Sequence, residues 1–244
     1  MKVFIHGIPD TPNVWNPLLD ALDLNTDFIA PALPSLAAPA PEGFGGSPDD
    51  FVDWLIGEIE PIAADFGPVD LIGHDWGGIF TVRIACLRPD LVRTWTAANA
   101  VPDPKDPWPL IARLWATPVL GEFLMSLSPP SQLERALTRQ RLSEGMAAHE
   151  AAHWKRESRR AILRLYRTGK HVGAEWDGEI ANAPPRGLVI WSGRDPYTGM
   201  ETAETFTART GADLKIFENA GHWSIVECAG ELAEVLHSHW RRVR

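Results

Sequence analysis

The chain has 244 residues, 45% of them hydrophobic, and a formal net charge of −9, which fits one large α/β domain, with or without an insertion, around a full core. The acidic balance argues against nucleic acid or an anionic membrane as partner, and no apolar run approaches the length that spans a bilayer. We expect no signal peptide and a cytoplasmic location, with Cys86 and Cys228 as buried free thiols.

Strands and helices alternate through the first hundred residues. Short apolar runs rich in β-branched and aromatic residues predict strands at 3–5, 28–30, 69–72 and 93–99. Helix starts and apolar stripes predict helices at 12–22, 47–62 and 79–86. Strands that alternate with helices indicate a mostly parallel sheet with helices on both faces.

The character of the sequence changes after residue 104. From about Lys105 to Pro185 helical patterns follow one another without a convincing strand, the longest from Met146 to about Lys170. This stretch is expected to be a helical insertion. Strands resume at 187–191 and 214–217, and a final helix is predicted from Ser224 to about Trp240.

The most informative turn joins the strand at 69–72 to the helix at 79–86. It reads Gly73-His74-Asp75-Trp76-Gly77, the G-x-S-x-G form of a nucleophile elbow with Asp75 in place of serine. Glycine at both flanks allows the close backbone approach that a sharp strand-to-helix turn requires. A carboxylate presented there, at the positive end of a helix, is a candidate covalent nucleophile.

Two more loops follow predicted strands and carry suitable partners. Asp195 lies just after the strand at 187–191, and His222 just after the strand at 214–217. The order nucleophile, acid, histidine at the carboxyl ends of parallel strands predicts a catalytic triad. After the first strand, the loop 6–9 is placed so that the backbone N–H groups of Ile8 and Trp76 would form an oxyanion hole.

With these residues the chain resembles the α/β-hydrolase superfamily, and within it the branch with an aspartate nucleophile: epoxide hydrolases, haloalkane dehalogenases and fluoroacetate dehalogenases. The matching motifs are His6-Gly7-Ile8-Pro9 with Trp15, Gly73 to Gly78, Gly193-Arg194-Asp195 and Gly221-His222. The resemblance covers the whole chain and implies an α/β-hydrolase core, 1–104 and 184–244, with a helical cap, 105–183. The two strands that usually precede the H-G-x-P strand are missing, so we expect either a smaller sheet at that edge or a natural start further upstream.

The resemblance also implies a reaction. A carboxylate can displace at an sp³ carbon without prior deprotonation at neutral pH, which would give an alkyl ester of Asp75. Water activated by His222 would then hydrolyse that ester, with Asp195 orienting the imidazole. Catalysis needs no cofactor or metal, and the expected substrate is a small apolar organic molecule, with water as co-substrate and no nucleic acid or membrane partner, in a monomer or homodimer.

Opening of an epoxide requires an acid for the ring oxygen, and Tyr166 in the predicted cap fits the cap tyrosine of epoxide hydrolases. The second cap tyrosine of that group is missing, since Tyr197 lies in the acid loop, and His149 or His153 could substitute for it. We also assign His6 and Trp154 to substrate binding. An epoxide hydrolase is therefore the first hypothesis.

Two alternatives stay open. A haloalkane or haloacid dehalogenase would use the same triad, but Trp76 does not discriminate between the two reactions and Ile8 disfavours haloalkane dehalogenases, many of which place a polar residue there. Trp76 also stands where fluoroacetate dehalogenases carry an arginine. The third hypothesis, a ligand-binding homologue without catalysis, conflicts with the intact triad.

Two further patterns compete with this interpretation. His149-Glu150-Ala151-Ala152-His153 matches the zinc-protease motif H-E-x-x-H, yet it lies inside the predicted cap and no third ligand is indicated.

The predicted cap also carries a run of basic residues. Such a run is typical of a solvated helix face, although an anionic substrate is possible. Its members are Arg139, Arg141, Lys155, Arg156, Arg159, Arg160, Arg164 and Arg167.

Overall fold

The computed structural model describes residues 1–23, 27–105, 108–180 and 182–242. One six-stranded sheet lies at its centre, with the strand order β2-β1-β3-β4-β5-β6. The strands are β1 (Lys2–Ile5), β2 (Phe28–Ile29), β3 (Val69–His74), β4 (Val92–Ala98), β5 (Gly187–Ser192) and β6 (Asp213–Phe217). Every neighbouring pair is parallel, which confirms the predicted α/β architecture, and the short β2 forms the edge beside β1.

Among the described residues, six α-helices accompany the sheet. They are α1 (Asn16–Leu22), α2 (Pro48–Phe66), α3 (Trp76–Leu87), α11 (Met200–Thr210), α12 (Ser224–Glu227) and α13 (Ala229–Arg242), and a 3-10 turn (Pro12–Trp15) precedes α1. Alternate residues of a strand face opposite sides of a sheet, so Val3 and Ile5 join one buried cluster and Phe4 joins the other. Helices α2, α3 and α11 cover the first face, and α1 and α13 cover the second.

Seven helices also fill the chain between β4 and β5. They are α4 (Leu110–Ala116), α5 (Leu120–Ser126), α6 (Pro130–Arg139), α7 (Glu144–Ala152), α8 (Arg156–Thr168), α9 (Val172–Glu175) and α10 (Asp177–Ile180). The part of this stretch that the structure describes contains no strand, as the sequence predicts. The single helix expected from Met146 to Lys170 is wrong: the chain turns between α7 and α8, and the turn buries Trp154, whose indole donates to the Ser128 carbonyl at 2.8 Å.

Three smaller expectations also need correction. Helix α11 is absent from the sequence prediction because its eleven residues include four threonines, which have low helix propensity. The predicted final helix is two helices, α12 and α13, interrupted at Cys228. Both free cysteines are half-buried rather than buried. Within the described ranges, no helix combines the length and the apolar character that crossing a membrane requires.

Candidate active site

The turn between β3 and α3 holds Asp75 in a backbone conformation that residues with a Cβ avoid. Its φ is 53° and its ψ is −127°, and such a conformation persists only where the surroundings fix it. A Cβ on Gly73 would lie 2.0 Å from the carbonyl oxygen of Gly77, and a Cβ on Gly77 would lie 2.0 Å from that of Ile5. Only glycine allows the two segments to meet this closely, so the elbow is built into the sequence.

The three predicted triad residues lie together at the carboxyl ends of β3, β5 and β6. Nδ1 of His222 lies 2.8 Å from Oδ2 of Asp195, and Nε2 of His222 lies 3.6 Å from Oδ2 of Asp75. The side chains of Asp195 and His222 are 0% and 4% exposed, whereas that of Asp75 is 17% exposed. Asp195, the predicted acid, is therefore shielded from solvent, whereas Asp75, the predicted nucleophile, lines a cavity.

The charges around His222 decide its protonation state. Burial alone would lower the pKa of His222, but the charges and hydrogen bonds of Asp195 and Asp75 raise it to about 10. Burial pushes the pKa of Asp195 upward, and the imidazolium together with hydrogen-bond donors holds it below its usual value. At neutral pH His222 is therefore an imidazolium.

Asn99, which the sequence analysis did not assign, positions the acid. Its Nδ2 donates to Oδ2 of Asp195 at 2.8 Å, while the backbone N–H of Tyr197 donates to Oδ1 of Asp195 at 2.8 Å. The hydroxyls of Ser224 and Ser192 donate to Oδ1 of Asn99 at 2.8 and 3.3 Å and fix its amide. The sequence signal for this role is an asparagine at the carboxyl end of a predicted strand, at the same sheet edge as the triad.

The loop after β1 reaches the nucleophile. The backbone N–H of Ile8 donates to Oδ1 of Asp75 at 3.0 Å. A Cβ on Gly7 would lie 2.4 Å from Cβ of Asp75, so the loop packs directly against the nucleophile. Trp76 is the first residue of α3, and its N–H has no acceptor within the helix. These are the two backbone groups expected to form the oxyanion hole.

His6 supports this loop and does not line the cavity. Its Nδ1 lies 2.9 Å from the Gly7 carbonyl oxygen, and its Nε2 accepts the N–H of Leu33 at 3.1 Å. Burial lowers the pKa of His6 to about 4, so the ring is neutral and Nε2 can accept. The structure thus places His6 beneath the oxyanion loop, where it cannot touch a substrate.

A second buried network ties the triad histidine to the loop after β1. Nε2 of His74 lies 3.0 Å from the carbonyl oxygen of His222, and its Nδ1 lies 3.2 Å from Oδ2 of Asp10. The indole of Trp223 donates to Oδ1 of Asp10 at 2.9 Å. Burial opposes ionisation of Asp10, but hydrogen bonds and charge from His74 lower its pKa. The sequence analysis missed this network, which holds the backbone of the His222 loop.

A cavity of about 330 Å³ opens above Asp75, between the sheet and the helical insertion. This volume lies within the range of small-molecule sites. Its walls are mainly apolar and aromatic, and Asp75 and His222 also line it. The aromatic walls include Trp76, Trp108, Trp115, Trp154, Tyr166 and Tyr197. Trp154, predicted to bind substrate, therefore lies at the wall of the cavity.

Comparison with known proteins fits this geometry. The sequence profile of the alpha/beta hydrolase family matches residues 3–235. The chain belongs to the alpha/beta hydrolase family. A curated relative, (E)-2-((N-methylformamido)methylene)succinate hydrolase of Acinetobacter baylyi, is 30% identical over 99 residues, which is 41% of this chain and 37% of that protein. The match thus spans well under half of the relative's length.

Three solved structures show the same fold as this hydrolase. The 2-hydroxy-6-oxo-6-phenylhexa-2,4-dienoate hydrolase from Rhodococcus sp. strain RHA1 is 20% identical, with a TM-score of 0.79 over 98% of this chain and 90% of that one. Potato (Solanum tuberosum) epoxide hydrolase I is 18% identical, with a TM-score of 0.78 over 99% of this chain and 92% of that one. A haloalkane dehalogenase from Bradyrhizobium elkani USDA94 is 22% identical, with a TM-score of 0.77 over 99% of this chain and 91% of that one.

The predicted acid of this hydrolase, Tyr166, projects from α8 into an aromatic wall. Its ring centroid lies 5.6, 5.6 and 5.3 Å from those of Trp76, Trp108 and Trp115. The side chain of Trp76 hydrogen-bonds the Tyr166 hydroxyl, while burial, followed by the charge of Asp75, raises the pKa of that hydroxyl. The phenol therefore stays protonated across the physiological range.

Tyr197 lies in the same cavity, although it comes from the acid loop. Its ring centroid is 4.9 Å from that of His222, with the two planes at 83°. Burial, then the charges of Asp195 and Asp75, raises the pKa of its hydroxyl, which the side chain of Gln140 hydrogen-bonds. Tyr197, which the sequence analysis placed in the acid loop, thus lines the same cavity as Asp75.

The structure places His149 and His153 away from the cavity wall. His149 is exposed on α7, and His153 is half-buried where α7 ends, with 4.9 Å between the ring centroids. Glu150 between them points into the interior. The described residues contain no group of three or more His, Cys, Asp or Glu placed to hold a metal ion. The residues of the basic run are exposed, apart from the half-buried Arg159 and Arg167.

Proposed function

We propose that this hydrolase opens an epoxide of a small apolar substrate through a covalent ester on Asp75. One observation carries the proposal: the two oxygens of Asp75 have different partners. Oδ1 accepts the Ile8 N–H at 3.0 Å, whereas Oδ2 faces His222 at 3.6 Å. A carboxylate with one oxygen held and the other open to an apolar cavity is arranged for attack at carbon.

In the first step Oδ2 of Asp75 attacks a ring carbon and the C–O bond of the epoxide breaks. The leaving oxygen would otherwise be an alkoxide, so it needs a proton as the bond breaks. Tyr166 lines the cavity and stays protonated, which supports its assignment as a ring-opening acid. The product of this step is a hydroxyalkyl ester of Asp75.

In the second step His222 removes a proton from water, and the water oxygen adds to the ester carbonyl carbon. The carbonyl oxygen is Oδ1, which already lies at the Ile8 N–H. Negative charge that develops there is stabilised by the backbone N–H groups of Ile8 and Trp76. Collapse of this intermediate breaks the alkyl ester bond. The departing alkoxide takes the proton from His222 and leaves as the diol, and Asp75 returns to its carboxylate form.

A dehalogenase is the second candidate, because the indoles of Trp76 and Trp108 both line the cavity and a departing halide needs N–H donors. However, the Trp76 side chain already hydrogen-bonds the Tyr166 hydroxyl. A halide at Trp76 would have to displace that phenol, whereas an epoxide oxygen would receive the phenol's own proton. This pairing favours the epoxide.

A covalent trap tests both candidates. His222→Gln blocks the second step, so incubation with styrene oxide should leave one substrate mass on Asp75, located by peptide mass spectrometry. His222→Gln combined with Asp75→Asn is the matched control and should stay unmodified. An adduct from 1-bromohexane but none from styrene oxide would replace the proposal by the dehalogenase. No adduct from a panel of either class would favour a ligand-binding homologue without catalysis.

Several wider assignments remain proposals. We assign 105–183 as the cap over a core formed by 1–104 and 184–244, because the cavity lies between these parts. We also propose a cytoplasmic, monomeric or homodimeric enzyme without cofactor, nucleic acid or membrane partner.

A further inference from the structure

We propose that Tyr197, in the loop that carries the triad acid, is the second proton donor to the epoxide oxygen, opposite Tyr166. The proposal rests on the epoxide hydrolase function proposed above. It assigns a catalytic role to a residue of the core rather than of the helical insertion, and it replaces His149 and His153 as candidates for that role.

The loop fixes Tyr197 relative to the triad. Its own backbone N–H donates to Oδ1 of Asp195 at 2.8 Å, and the backbone N–H of Thr198 donates to the same oxygen at 3.4 Å. Its ring meets that of His222 edge to face, with 4.9 Å between the centroids. The phenol is therefore held by the same contacts that orient the acid and the base.

The two tyrosines approach the nucleophile from different walls of one cavity. Tyr166 comes from α8 of the insertion, and Tyr197 comes from the loop after β5. Both line the cavity with Asp75 at its base. The charge of Asp75 contributes to the raised pKa of each hydroxyl, as expected for phenols that face the attacking carboxylate. An epoxide held for attack would place its oxygen between them.

Each phenol has a side chain beside it that lowers its pKa by hydrogen bonding. The side chain of Gln140 hydrogen-bonds the hydroxyl of Tyr197, and that of Trp76 hydrogen-bonds the hydroxyl of Tyr166. Indole can only donate, and an amide N–H donates in the same way. A phenol that accepts such a bond keeps its own proton free for another acceptor, here the epoxide oxygen.

The proton balance closes over the cycle. As Oδ2 of Asp75 bonds to the ring carbon, the epoxide C–O bond breaks and the alkoxide takes one phenolic proton from the pair formed by Tyr166 and Tyr197. The tyrosine that keeps its proton stabilises the same oxygen by a hydrogen bond. When water later hydrolyses the ester and the carboxylate of Asp75 is restored, one proton is released, and it returns to the phenolate.

The test separates the two steps by single-turnover kinetics with styrene oxide. Tyr197→Phe keeps the ring against His222 and removes only the donor, so the alkylation rate should fall about 10- to 100-fold, within the range of general acid catalysis. The rate of ester hydrolysis should stay within about twofold of wild type. Tyr197→Phe combined with Tyr166→Phe should alkylate more slowly than either single variant.

A second variant guards against a structural explanation. Gln140→Leu leaves Tyr197 in place but removes its N–H donor, and should slow alkylation several-fold without changing hydrolysis. Unchanged alkylation in Tyr197→Phe would overturn the proposal, and so would an equal loss in both steps, which would indicate that the tyrosine only packs against His222. The His222→Gln trap distinguishes the failures: an adduct from styrene oxide keeps the epoxide hydrolase, whereas no adduct overturns the function and this inference together.

Discussion

Replacing Glu150 by glutamine should stabilise the protein at alkaline pH. Glu150 is fully buried on α7, where its Oε1 accepts the hydroxyl of Thr11 at 3.2 Å. Its Oε2 has no hydrogen-bond partner among the described residues. Burial first, and the charge of Asp10 second, raise the pKa of Glu150 from 4.5 to about 8. Above that pH, an ionised carboxylate is held in the interior without a counter-charge.

The sign follows from proton linkage. Between pH 4.5 and 8 the folded state holds a proton on Glu150 that the unfolded chain has released, so the free energy of unfolding falls as pH rises. At about 1.36 kcal/mol for each pH unit, that interval sets an upper limit of roughly 5 kcal/mol. Local opening of α7 would let water reach the ionised carboxylate for less free energy than this limit. We therefore expect Glu150→Gln to raise the free energy of unfolding at alkaline pH by about 1–3 kcal/mol.

Urea unfolding between pH 5 and 9 measures this effect. The stability difference between Glu150→Gln and wild type should increase up to about pH 8 and stay constant above it. Glu144→Gln, at an exposed position of the same helix, is the matched control and should show no such increase. A difference that does not change with pH, or a variant less stable than wild type at pH 9, would refute the assignment of Glu150 as a buried, protonated carboxyl group.

Three further predictions concern the site. Asp75→Asn removes one carboxylate beside His222, so its imidazole pKa should fall below about 10 in an NMR titration, and an unchanged value would contradict the charge argument. Gly7→Ala places a Cβ 2.4 Å from Cβ of Asp75 and should lower kcat/KM at least about 100-fold. Gly145→Ala, whose new Cβ would have no neighbour within 4 Å, should leave kcat/KM unchanged. Equal activities of the two variants would argue against tight packing at Asp75. Asp195→Asn should lower kcat by about 10⁴ while the fold persists by circular dichroism; a loss under tenfold would argue against Asp195 as the acid.

The sequence was sufficient for the fold and for the placement of the triad because both depend on local patterns. Gly73 and Gly77 flank the turn at the end of a buried strand, and the structure shows that a Cβ at either position would collide with backbone. Asp195 and His222 lie in the loops that follow β5 and β6. Once the strands are parallel, their carboxyl ends lie at one edge, and the three loops must meet there.

The network around Asp10 could not be predicted in the same way. Its partners His74 and Trp223 lie 64 and 213 residues away along the chain, and nothing local to any of the three indicates the pairing. Sequence patterns also treat a glutamate as a surface residue, so they give no reason to bury Glu150. Helix α7 is rich in alanine, so its sequence does not show which face packs inward or whether His149 and His153 face the substrate.

An aspartate at the elbow, unlike a serine, would lose its negative charge in the first step of the proposed reaction, and this loss would change the pKa of His222. The charges and hydrogen bonds of Asp195 and Asp75 raise the pKa of His222 to about 10, and an imidazolium is no base. In the proposed reaction, attack on the substrate would convert Asp75 to a neutral ester and remove the smaller of these two contributions to the pKa of His222. The imidazole would then lose its proton more readily and activate water. Formation of the ester would therefore favour the base that hydrolyses it, because the first step removes part of the charge that stabilises the imidazolium.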